Sequence, residues 1–198
     1  MAVFCAKEGG EGMADNSPIH GRITLLSGDR MSENIRLATL EDAEKLLALT
    51  LEAYAPALQL GIPFPAAKAD LEMVKHNITS NTCFVMENEQ GIIATITLGN
   101  FEEVKKVTDL PYICWFAVAP AYKGRGIGNR LLTWLEETII RDTLGAPGAV
   151  LATAERHPWL IPMYERKGYE RFYEYHEEGL GQVVFLRKVL HSKHYAGR

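Results

Sequence analysis

Apolar residues recur along this chain in two rhythms, and the alternation between them lays out the elements. Ile35-Arg-Leu-Ala38 reads as a short strand. Leu40, Ala43, Leu46, Leu47, Leu49 and Leu51 then follow at helical spacing into Tyr54, with Thr39 as N-cap and Asp42 in the acidic first turn. Gln59-Leu-Gly-Ile-Pro-Phe-Pro65 breaks that helix with one glycine and two prolines. A second helix is predicted over residues 68–78, with Leu71 and Val74 inward. Strands are predicted at 83–86, 92–98 and 111–118, the first two joined by the turn Asn88-Glu-Gln-Gly91. A third helix is predicted over 126–144. Ile127, Leu131, Leu135 and Ile139 form its inward stripe, while Asn129, Arg130, Thr133, Glu136, Glu137 and Arg141 face out. A buried strand at 149–153, a short helix over 159–167 stopped by Gly168, and strands at 170–175 and 182–189 complete the series. The order β-α-α-β-β-β-α-β-α-β-β predicts an α/β fold. It is a three-layer α/β/α sandwich on a mixed, mostly antiparallel sheet with a central βαβ unit.

Residues 1–30 break the pattern. They are rich in glycine and small polar residues, and Met31-Ser-Glu-Asn34 has the look of a second start. They are taken as an N-terminal extension of open role, with the domain over 31–190 and a tail over 191–198.

With 198 residues, of which 47% are hydrophobic, the chain can bury a full core. Its formal charge of −4 works against a broad nucleic-acid face. Cys5, Cys83 and Cys114 are odd in number and far apart, so they fit neither a disulfide framework nor a zinc pattern. Cys83 and Cys114 sit in apolar runs as small core residues. A reducing cytoplasm is the expected setting, with no membrane span and no metal. The opening apolar stretch is too short for a secretory signal.

Candidate chemistry concentrates after the strand at 111–118. There Val118-Ala-Pro-Ala-Tyr-Lys-Gly-Arg-Gly-Ile-Gly128 runs into a helix start. Glycines at such a junction leave the first-turn amides open, and the positive end of the helix dipole points the same way, which suits an anionic ligand. The loop also brings Lys123 and Arg125 to that site. The bland alternative is a turn that uses glycine only for tightness. Two phosphate-binding fingerprints fail. A dinucleotide motif would need glycine where Asn129 stands, and no G-x-x-x-x-G-K-[ST] occurs.

This segment resembles the acyl-CoA loop of the GCN5-related N-acetyltransferases, whose pattern is Gln/Arg-x-x-Gly-x-Gly/Ala. Gly126 and Gly128 match the small positions, and Lys123 stands where Gln or Arg is usual. Val118 and Pro120 before the loop and Leu131-Leu132 after it add to the likeness. Pro162-Met-Tyr-Glu-Arg-Lys-Gly-Tyr169 is similar to the family's late motif, Tyr-x-x-x-Gly-Phe/Tyr. The resemblance covers roughly residues 34–190 and implies acetyl-CoA as co-substrate. It implies that Lys123, Gly124, Arg125, Gly126, Ile127, Gly128, Asn129 and Arg130 surround the pyrophosphate. It also implies that the strand ending at Ala117 and Val118 parts from the strand at 149–153 to grip the pantetheine arm. Tyr164 falls at the position of the general acid to the leaving thiolate; the alternative is a packed helix residue. Tyr169 is expected to fill the core, and Trp159 to pack under the loop.

The general base is open. The strand position that carries glutamate in some relatives is Tyr112 here, so Tyr112 relaying a water, His157, Glu155 and Asp109 are all candidates. An amine arriving neutral is another route. His157 also stands where relatives often carry a pantetheine-contacting asparagine. The resemblance places the acceptor between the first two helices and the last hairpin. There residues 59–65 read as a lid or a packed connection, and Glu174, Glu177 and Glu178 as an amine lure or a solvated turn. The expected reaction is acetyl transfer to a primary amine of a small molecule, amino acid or peptide by direct attack in a ternary complex. The alternatives are a CoA-binding module without turnover and a plain structural domain. A homodimer is expected on family habit alone.

Overall fold

The computed structural model describes residues 33–190, so the expected extension and tail lie outside the described residues. Seven strands form one sheet: β1 Asn34–Leu37, β2 Thr82–Asn88, β3 Gly91–Gly99, β4 Tyr112–Val118, β5 Gly148–Ala154, β6 Glu170–Glu177 and β7 Gly181–Val189. Their order is β1-β2-β3-β4-β5-β7-β6, antiparallel except for the β4–β5 pair. The helices are α1 Ala43–Gln59, α2 Leu71–Ser80, a four-residue α3 Glu102–Lys105, α4 Ile127–Trp134 and α5 Leu160–Glu165. The backbone continues from α4 without a break as a π-helix over Leu135–Thr143.

Cross-strand register shows the layers. Phe84 and Ile96 are paired neighbours, so their side chains share one face of the sheet, and Thr97 points to the other. The Phe84 ring meets Trp134 of α4 edge-on, with centroids 5.1 Å apart. Thr97 accepts from the buried Asn77 of α2 at 3.1 Å. The helices therefore cover opposite faces, as the three-layer reading requires.

Local chemistry sets the boundaries. Thr39 N donates to Asp42 Oδ2 at 2.8 Å, and Arg36 grips the same carboxylate at 2.7 and 2.9 Å. The second helix starts at Leu71 rather than at 68, because Pro65–Lys68 forms a 3-10 turn and Asp70 caps the helix through Met73 N at 2.8 Å. The inward stripe Ile127, Leu131, Leu135 and Ile139 is buried as expected.

Glu136 is a correction: expected to face out, it is 2% exposed. The expectation assumed 3.6 residues per turn throughout. The i→i+5 bonding of the π-helix changes the phase, and Glu136 turns inward. There it accepts from Tyr169 Oη at 2.7 Å and from Lys188 Nζ at 2.5 Å.

Candidate active site

β4 and β5 face each other in register only at Tyr112–Val150 and Ile113–Leu151. Beyond that point β5 keeps pairing with β7 through Ala154, and β4 keeps pairing with β3 through Val118. A gap therefore opens between the C-terminal halves of β4 and β5. A bulge marks the departure: between the Thr95–Ala117 and Thr97–Cys114 pairs, Trp115 and Phe116 together face Ile96. Trp115 takes φ = 46°, an unusual value for a bulky residue and one that re-aims the strand. Within the parted stretch Tyr54 of α1 donates from its hydroxyl to Phe116 O at 3.3 Å.

The loop after β4 makes a 3-10 turn at Pro120–Tyr122 and enters α4 through Gly126, the N-cap at φ = 76°. A left-handed N-cap without a side chain leaves the helix start bare. Lys123, Gly124, Arg125 and Gly126 are exposed. Among the described residues, the amides of Gly126, Ile127, Gly128 and Asn129 have no hydrogen-bond acceptor. Arg130 lies across the turn, bonding Glu33 at 2.5 and 3.1 Å and Arg125 O at 3.1 Å. Arg125 sits 5.2 Å from the centre of the Tyr122 ring. Beside the first turn, a cleft of about 280 Å³ is lined by Asn129, Thr133, Arg166 and Lys167 among others. Lys167 reaches Asn129 Oδ1, and burial lowers the ammonium below its ordinary value.

Toward the other end of the gap, three buried side-chain atoms have no partner among the described residues: Thr153 Oγ1, His157 Nδ1 and Tyr164 Oη. All three belong to the end of β5 and the segment that follows. An unsatisfied buried polar group costs roughly 1–3 kcal/mol, so three within twelve residues make this stretch a candidate for contact with polar groups of a ligand. Burial pushes the Tyr164 phenol well above its ordinary value, with Tyr54 and Glu136 adding to the shift. Burial likewise lowers the His157 imidazole, so the ring is neutral at pH 7.

His157 packs between Phe64, with centroids 6.3 Å apart, and Trp159, edge-on at 4.9 Å. Trp159 is 41% exposed, so it does not pack under the loop as expected; it forms a rim beside His157. Phe64 also meets Tyr54 edge-on at 6.1 Å. Tyr112 falls in a different grouping. It is buried between Phe101 and Phe185, at the position where β4 still pairs with β5. Of the other base candidates, Glu155 pairs with Arg171 at 3.3 Å. Sequence reasoning passed over Tyr54 and Arg156, and took in Phe64 and Thr153 only as parts of the segment 59–65 and of the strand at 149–153. All four carry types common in any core or surface, and only the fold gives them their contacts. Among the described residues no cluster could hold a metal ion, and no helix is long and apolar enough to cross a membrane.

A family described as the acetyltransferase (GNAT) domain matches residues 79–171, a span that takes in β4, the glycine loop, β5 and Tyr164. The S-(2-succino)cysteine N-acetyltransferase of Bacillus subtilis is 52% identical over 162 residues, covering 81% of this chain and 98% of that protein. The S-alkylcysteine N-acetyltransferase of the same organism is 44% identical over 164 residues, covering 81% and 91%. A GNAT-family acetyltransferase structure from Streptococcus agalactiae superposes with a TM-score of 0.64 at 15% identity, over 81% of this chain and 97% of that one. That likeness supports the fold, and the two curated relatives carry the activity. The chain belongs to the GNAT family of acyl-CoA-dependent N-acetyltransferases.

Proposed function

We propose that this chain transfers an acetyl group from acetyl-CoA to the α-amine of an S-substituted cysteine. The observation that carries the reading is the gap between β4 and β5. It has unsatisfied amides of Gly126–Asn129 at one end and the orphaned atoms of Thr153, His157 and Tyr164 at the other. This polarity fits a long ligand with a diphosphate in its middle and a polar arm. The amides from Gly126 to Asn129 hold the diphosphate, helped by the helix dipole. Arg166 and Lys167 extend the positive surface for the nucleotide's remaining phosphate. The unpaired edges of Ala117–Val118 and of Ala152–Ala154 take the amide groups of the arm as a further strand would. Acetyl-CoA supplies the activated acetyl thioester.

The residues of the chain supply the proton chemistry. Neutral His157 accepts a proton from the amine at Nδ1, directly or through one water. The Tyr164 hydroxyl, kept protonated by its burial, donates to the departing sulfur. We assign Tyr112 to the aromatic wall. Phe64 and the half-exposed Trp159 give apolar surface for an S-substituent. The acceptor class is supported by the two Bacillus subtilis relatives, both named for cysteine derivatives.

The test is thiol release from acetyl-CoA with S-methylcysteine, S-(2-succino)cysteine and a free dipeptide, with products identified by mass spectrometry. N-acetylated cysteine derivatives at rates well above the dipeptide are expected. Release with the dipeptide and none with either cysteine derivative would overturn the acceptor.

A further inference from the structure

Three segments meet beside His157: the α1–α2 connection, the turn after β5, and the turn between β6 and β7. Arg156 joins them. Its Nη2 donates to Gly61 O on the first and to Gly179 O on the third, the latter at 3.2 Å. Gly61 and Gly181 lie against the Arg156 side chain, where a Cβ would come to about 4 Å, an ordinary contact, and Gly179 lies as close to Pro63.

Both bonds go to backbone carbonyls, which carry no formal charge. Among the described residues Arg156 has no carboxylate partner, although acidic residues crowd the region. Glu155 and Glu165 are both taken by Arg171. Two donors on Nη1 and one on Nε remain without an acceptor among the described residues. The side chain is exposed, so these donors are accessible.

Arg156 is also next in the chain to His157, whose buried Nδ1 has no hydrogen-bond partner among the described residues. Consecutive Cα atoms lie about 3.8 Å apart. An α-amino acid carries its amine and its carboxylate on one carbon, a separation that two neighbouring side chains can span.

Resting on the acceptor class argued above, we infer that Arg156 is the residue that reads the acceptor's carboxylate, while holding the two loops that flank it. The carboxylate accepts from Nη1, and the amine is left facing His157. This selects free amino acids over peptide N-termini, whose first residue has no carboxylate.

The experiment compares S-methylcysteine with S-methylcysteine amide in wild type, Arg156→Gln and Arg156→Lys. Acetyl-CoA affinity is measured in each as a check on folding. S-Methylcysteine has one carboxylate, so the comparison isolates the α-carboxylate; S-(2-succino)cysteine forms a third arm. A charge-assisted hydrogen bond predicts that wild type prefers acid to amide by roughly tenfold to a hundredfold in kcat/KM. The preference falls to near unity in Arg156→Gln through KM, and is partly kept in Arg156→Lys. A loss seen with S-(2-succino)cysteine alone places the substituent's carboxylate, not the α-carboxylate, on the guanidinium and overturns the inference. If wild type treats acid and amide alike, or if Arg156→Gln lowers both equally, the arginine is only a loop clasp and the inference fails while the acceptor class stands. No turnover of any cysteine derivative by wild type would overturn both.

Discussion

The hydroxyl of Tyr169 donates to Glu136 Oε1 at 2.7 Å, which ties the π-helix to the segment carrying the candidate acid. The Tyr169 ring then stands edge-on to Tyr164, with centroids 5.6 Å apart and planes at 68°. Lys188 closes the network from β7. Glu136 thereby fixes the ring that fixes Tyr164.

Removing that carboxylate should be expensive. Glu136→Ala leaves the Tyr169 hydroxyl and the Lys188 ammonium unpaired. We expect a loss of about 2–3 kcal/mol, below the usual figure for a buried pair because Lys188 keeps a quarter of its surface in water. Turnover should fall with it. Glu136→Gln, which retains an acceptor for Tyr169, should lose less of both. Denaturant midpoints and kcat on the three proteins check this; a Glu136→Ala protein as stable and active as wild type contradicts it.

Tyr164→Phe separates chemistry from folding. The Tyr164 hydroxyl is fully buried and has no partner among the described residues, so deleting it removes a polar burial cost and should leave the ligand-free protein as stable or more so. The same change should lower kcat by at least roughly tenfold, with acetyl-CoA affinity retained. Thermal unfolding beside steady-state kinetics measures both. Unaltered kcat would remove Tyr164 from the mechanism.

Gly126→Glu tests the loop. The position has φ = 76°, which strains any side chain by about 1–2 kcal/mol, and the new carboxylate would sit over the open amides. Calorimetry should show acetyl-CoA affinity reduced by a hundredfold or more, in line with like-charge penalties of several kcal/mol. Gly124 shares the left-handed backbone, but a Cβ there meets nothing within 4 Å, so Gly124→Ala should bind far better. Equal affinity of wild type and Gly126→Glu would show that the diphosphate lies elsewhere.

His157 gives the pH dependence a sign. Burial lowers its folded value below 6.5, so the unfolded chain takes up the proton first as pH falls. The associated stability is complete above that unfolded value and is lost as pH drops through the window below it. The neutral ring is also the form that accepts the amine's proton, so kcat/KM should decline on the acid side of the folded value. His157→Gln should flatten both trends between about pH 5 and 8. An unchanged acid limb in that variant would exclude His157 as the acceptor of the proton.

Much of this was legible in the residues because it depends on local rules. Strand alternation, the N-cap at Thr39, and a glycine loop leading from a strand into a helix are short-range features, and they gave the order of the main elements; the cap at Asp70 and the short helix Glu102–Lys105 were not read from the sequence. Glu136 was misplaced because the phase of a helix cannot be read from composition once its bonding changes from i→i+4 to i→i+5. Arg156 was invisible as a site residue for a different reason, as was the contact of Phe64, within the segment read as a lid or a packed connection, with His157. Both come from segments about 90 residues apart in sequence meeting at one point, which no local pattern encodes. Trp159 illustrates the reverse error: an aromatic at a helix start suggests packing, yet here it lies half in water beside an imidazole.

The central claim is that the gap between β4 and β5 receives the acetyl donor with its diphosphate on the amides of Gly126–Asn129 and its sulfur at Tyr164. A crystal structure with bound coenzyme A measures this most directly. It should show phosphate oxygens within hydrogen-bond distance of those amides, the arm bridging the two parted strands, and the Tyr164 hydroxyl against the sulfur. A cofactor seated outside the gap, or a Tyr164 hydroxyl pointing away from the thiol, would contradict it.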